Sequence, residues 1–70
     1  MERRTVNSSK IRSVGYDERA RVLEVEHSDG SIYQYSGVSA EVHRRMMSAP
    51  TIASFYQDRV EEDFSRKRVR

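Results

Sequence analysis

Between residues 21 and 27 apolar and charged positions alternate. Leu23 and Val25 fall on one side, Glu24 and Glu26 on the other, with Val22 on the carboxylate side. A period of two over such a run predicts a strand with one buried face. A looser alternation from Ser9 to Asp17 predicts an earlier strand, and the polar stretch Asp17-Glu18-Arg19-Ala20 separates the two. Ser28-Asp29-Gly30 follows, a hairpin signal because glycine takes the left-handed conformation cheaply. Ser31 to Ser36 is the third strand, with Ile32 and Gln34 on one face and Tyr33 and Tyr35 on the other.

Loop length decides what the tyrosines face. A two-residue loop pairs Val25 with Gln34, whereas a three-residue loop pairs Val25 with Tyr33 and Leu23 with Tyr35. The second register gathers the apolar side chains on one face, so it is the expected one. It makes Tyr33 and Tyr35 at least partly core.

Beyond Gly37 the period changes. Ser39 is a good N-cap, Glu41 sits in the positive first turn, and Val42, Met46 and Ala49 share a helical face, predicting a helix over 40–49 that Pro50 stops. Thr51 can cap a second helix, expected over about 52–65 from Ile52, Tyr56, Val60 and Phe64 at intervals of four. The order βββαα describes an α+β domain: a three-stranded antiparallel meander packed on one face by two C-terminal helices. The expected organisation is a disordered tail over 1–8, one domain over 9–65 and a basic tail over 66–70.

Composition narrows the function classes. Seventy residues with 36% apolar content form one small core, which leaves room for a partner subunit to add stability. The absence of cysteine excludes a disulfide scaffold and a thiolate zinc site. No apolar run approaches the roughly 18 residues of a membrane span. The N-terminal residues have no apolar core of a secretory signal, so a cytoplasmic domain is expected. The net charge of +2 is not by itself a nucleic-acid-binding balance. Eleven of the thirteen basic residues are arginine, however, the side chain suited to phosphate and to stacking on bases.

Little in the chain suggests a reaction. Two histidines, His27 and His43, without close ligand partners do not make a metal site; His27 reads as packed or at a rim, His43 as surface. The serines fit loops and caps, and the three glycines sit at strand ends or turns rather than in a phosphate loop. Neither a cofactor nor a small-molecule substrate is indicated, and a non-catalytic role is expected. Tyr33-Gln34-Tyr35 is the one constellation with a functional reading: two aromatics about 7 Å apart on one strand face form a stacking platform if that face is open. The other reading is core packing beneath the helices.

The strings Ser13-Val14-Gly15-Tyr16-Asp17, Leu23-Glu24-Val25-Glu26 and Gly30 to Val38 resemble the KTSC domain family. Tyr33 and Tyr35 match its Tyr-x-Tyr motif, and Val38 the valine that opens the helix. Ala49, Ser54, Phe55, Tyr56 and Val60 fit its later positions, so the resemblance covers about residues 8–64. Two positions depart from it: Ala53 stands where the family favours glycine, and His27 where members often carry an aromatic. The family is named for its occurrence at the C-terminus of some lysyl-tRNA synthetases, which implies an RNA-related role and no established activity.

The expectation is therefore a binding module for RNA, tRNA in particular. Arg12, Arg19, Arg21, Arg66, Arg68 and Arg70 would contact phosphates, and Tyr33 and Tyr35 would support a platform or stack on a base. The alternative is a homodimer through the helices, tested by Met46→Glu and Tyr56→Glu.

Overall fold

The computed structural model describes residues 2–70. Five strands run in the order of the chain: β1 (Arg3–Thr5), β2 (Ile11–Asp17), β3 (Val22–His27), β4 (Ile32–Ser36) and β5 (Arg66–Arg68). Neighbours in sequence pair antiparallel, so the sheet is one continuous meander. Helix α1 (Ala40–Ser48) and the short helix α2 (Ile52–Phe55) lie between β4 and β5, and α2 continues as a π-helical turn over Tyr56–Val60. The architecture is α+β as expected, but with five strands rather than three. The two added strands come from segments that the sequence pattern reads as tails.

The hairpin register is the expected one, with Leu23 opposite Tyr35 and Val25 opposite Tyr33. The loop holds three residues, closed by the His27 amide on the Ser31 carbonyl at 2.8 Å and the Gly30 amide on the His27 carbonyl at 3.0 Å. Gly30 takes φ +93°, which explains why glycine ends this loop. The Asp29 carboxylate accepts from both the amide and the hydroxyl of Ser31, and these bonds hold its pKa below the usual carboxylate value.

Alternation places Val14, Leu23, Val25 and Tyr35 on the helix-facing side, where they form one core with Ile11, Val38, Met46, Tyr56 and Val60. Ser39 caps α1, its hydroxyl accepting from the Val42 amide at 3.3 Å. Thr51 occupies the corresponding place before α2 but makes no side-chain cap bond. The second helix is also shorter than the expected 52–65. The Glu61 amide bonds to the Tyr56 carbonyl, five residues back, and the helix ends at Val60. Phe64 still packs on the core, but from the turn beyond. Met46 and Tyr56, expected at a dimer interface, are fully buried in the protomer's own core.

The other face of the sheet is polar and nonetheless closed. Glu24 and Glu26 of the central strand are only 7% and 8% exposed. Arg3 from β1 and Gln34 from β4 both donate to Glu24. Ser13 donates to Glu26 at 2.7 Å, and Arg70 reaches it at 3.3 Å from just beyond β5. Arg12 stands 3.8 Å from the same carboxylate. The two central carboxylates thus tie both edge strands to the middle of the sheet.

Candidate nucleic-acid interface

The eight residues expected to bind nucleic acid do not form one patch. Arg19 and Arg21 lie in the turn between β2 and β3, where the Asp17 carboxylate accepts from the amides of Arg19 and Ala20. Arg21 takes a left-handed φ of +55° and its carbonyl accepts from the Val38 amide. Arg12, Arg68 and Arg70 lie at the opposite end of the strands, beside the β3–β4 loop. There the Arg12 guanidinium donates to the Ser28 carbonyl at 2.9 Å, and the Ile32 amide donates to the Arg70 carbonyl. At 3.3 Å per residue, β3 separates the two groups by about 17 Å.

Tyr35 is wholly buried, so its ring belongs to the core and cannot receive a base. Its hydroxyl meets that of Tyr56 at 2.5 Å, and Tyr56 in turn lies 2.9 Å from Nε2 of His27. Burial first, then the Tyr35 contact, pushes the Tyr56 pKa far above the ordinary phenol value. His27 packs edge-on against both Tyr33 and Tyr56, which bears out the reading of a packed histidine. His43, read as surface, instead stacks on Tyr16 and is half-buried.

Tyr33 is half-buried, and the residues around it are brought there by β5. That strand sets Arg68 opposite Tyr33 and Arg66 opposite Tyr35. The Arg66 guanidinium sits 4.6 Å from the centre of the Tyr33 ring, an aromatic–cation contact, and is 3.5 Å from Glu61. Arg68 and Arg70 continue the same edge, and the Arg68 Nε donates to the Arg70 carbonyl at 3.2 Å. Tyr33, Arg66 and Arg68 therefore share the helix-facing side of the β4–β5 edge, whereas Arg70 and Arg12 turn to Glu26 on the polar face at its hairpin end. Lys10, absent from that set, joins them through the bond from the Ser28 amide to its carbonyl. Clustering along the chain could not reveal it, because only strand pairing brings residue 10 beside residue 28.

An arginine laid over a half-buried tyrosine at the edge of a small meander defines a class: an α+β domain with an aromatic–guanidinium edge. The chain belongs to the KTSC domain family, whose pattern matches residues 7–64. It is 38% identical over 56 residues to an uncharacterized protein of Stutzerimonas stutzeri (strain A1501), spanning 80% of this chain and 79% of that one. Its fold superposes on the crystal structure of a KTSC domain protein from Yersinia pestis with a TM-score of 0.93 at 34% identity. That match covers 99% of this chain and 97% of the other.

Proposed function

We propose that the protein is a non-catalytic RNA-binding module of the bacterial cytoplasm, with tRNA as its ligand class and the β4–β5 edge as its contact surface. The observation that carries this reading is the placement of Arg66 over the Tyr33 ring with Arg68 directly opposite. A guanidinium resting on an aromatic offers its outer face to an unpaired base, while neighbouring arginines take phosphates. The occurrence of the family beside a tRNA synthetase agrees with that chemistry. Arg19 and Arg21, in the β2–β3 turn two strands across from β5, lie outside this contact surface.

The test is binding of a labelled single-stranded RNA measured by fluorescence anisotropy across a salt series. Three phosphate contacts, from Arg12, Arg68 and Arg70, give a slope of log K against log salt of about −2. Arg68→Ser reduces that slope by about one contact, and Arg19→Ser leaves it unchanged. Equal losses from both substitutions would defeat the assignment. The alternative homodimer would draw on half-buried Met47, Ile52 and Phe55 rather than Met46 and Tyr56. A solution mass near twice 8.2 kDa would favour it.

A further inference from the structure

At the edge of the sheet away from β5, strands β1 and β2 and helix α1 line an open groove of about 950 Å³. Val14 and Tyr16 come to it from β2, Arg4 from β1, and His43, Arg44 and Met47 from α1. The rings of Tyr16 and His43 are stacked, with centroids 4.6 Å apart and planes within 10°. The Tyr16 hydroxyl donates to the Val38 carbonyl, so the stack is anchored at the start of the helix.

Arg3 is held by Glu24, and Arg45 by Glu41 at 2.9 Å. Arg4 and Arg44 reach the same groove from different elements, both are exposed, and among the described residues neither forms an ion pair. His43, next to Arg44 on α1, lines the groove with them.

We propose that this groove binds a phosphate dianion, free or as the monoester of a mononucleotide, received by the guanidinium groups of Arg4 and Arg44 and by His43. Two guanidinium forks from separate elements can each give paired bonds to one tetrahedral anion. Burial, and then the Arg4 charge, hold the His43 pKa below the usual imidazole value. An anion seated between Arg4 and His43 offsets that charge and raises it again. The titratable and charged groups that line the groove with this imidazole are Arg3 and Arg4 on β1, Tyr16 on β2, Glu18 in the following turn, Arg44 on α1, and Glu2 ahead of β1. Glu2 and Glu18 are exposed, and their charges oppose the anion, so Glu18→Gln tightens binding. The site is separate from the β4–β5 edge, and either can fail without the other.

The experiment is an NMR titration of labelled protein with inorganic phosphate, a nucleoside monophosphate and the corresponding nucleoside, chloride being exchanged to keep ionic strength constant. Phosphate and the monophosphate shift Arg4, Tyr16, His43 and Arg44 and raise the His43 titration midpoint; the nucleoside does neither. Arg4→Gln and Arg44→Gln each weaken binding about tenfold without changing the rest of the spectrum. Tighter binding of the monophosphate than of phosphate identifies a mononucleotide as the source, and equal binding identifies phosphate itself. A flat response at these four residues, or affinity unchanged in both variants, overturns the proposal.

Discussion

Tyr56 is a polar junction in an otherwise apolar interior: its hydroxyl bridges the buried Tyr35 hydroxyl and the imidazole of His27. Tyr56→Phe keeps the ring and removes the bridge, leaving a buried hydroxyl without its partner. The loss is about 1–3 kcal/mol in a urea unfolding series, and Tyr56→Phe combined with Tyr35→Phe recovers part of it. Arg21 shows the opposite balance. Its φ of +55° is one an L-residue adopts at a cost, so Arg21→Gly is neutral or stabilising by up to about 1 kcal/mol. Residue-level chemistry was partly legible in advance. Asp29-Gly30 and the alternation around it specify the three-residue loop and the tyrosine register. No local feature announces that Tyr35 is sealed while Tyr33 stays half-open, because that depends on Tyr56 and on β5.

The edge strands explain where element prediction stops. Arg3-Arg4-Thr5 and Arg66-Lys67-Arg68 contain no apolar residue to alternate, so periodicity reads them as tails. They are strands because their backbones pair with β2 and β4, and because Arg3 and Arg70 reach carboxylates 21 and 44 residues away. Charged edges of this kind also discourage pairing with another sheet. The π-helical turn is equally hidden, since apolar residues spaced by four suit an α-helix as well as a wider turn. A consequence of the carboxylate ties is acid sensitivity. At Glu24 burial pushes the pKa up, but the hydrogen bonds from Gln34 and Arg3 outweigh it; at Glu26 the Ser13 bond leads, and both carboxyls are held below the usual value. Groups with lowered folded pKa values contribute stability that is present above the unfolded value of about 4.3 and lost as the pH falls through the folded one. Denaturation followed from pH 6 downward therefore steepens below about pH 4.3, and Glu26→Gln flattens that limb while lowering stability at pH 6. At helix level, Met46→Glu introduces a charge into a fully buried site and unfolds the protomer rather than separating a dimer. Its circular dichroism loses helical and strand signal together.

Across the whole molecule, the topology sorts the arginines that chain order leaves mixed. The meander carries Arg19 and Arg21 to the β2–β3 turn, sets Arg66 and Arg68 along β5 beside Tyr33, and brings Arg12 and Arg70 to the β3–β4 loop. Of the two strands that the sequence pattern misses, β5 is the one that brings Arg66 and Arg68 beside Tyr33. The family was legible from the order of its short motifs, and it now rests on a match over residues 7–64. The central claim, that RNA is bound along β4 and β5, is tested most directly by titrating labelled protein with a mixed tRNA pool at low and moderate salt and following backbone and arginine side-chain signals. The account predicts shifts at Tyr33, Arg66, Arg68, Arg70 and Arg12 that fade as salt rises and are absent from Arg19 and Arg21. Flat spectra at low salt, or shifts centred on the Arg19–Arg21 turn, would contradict it.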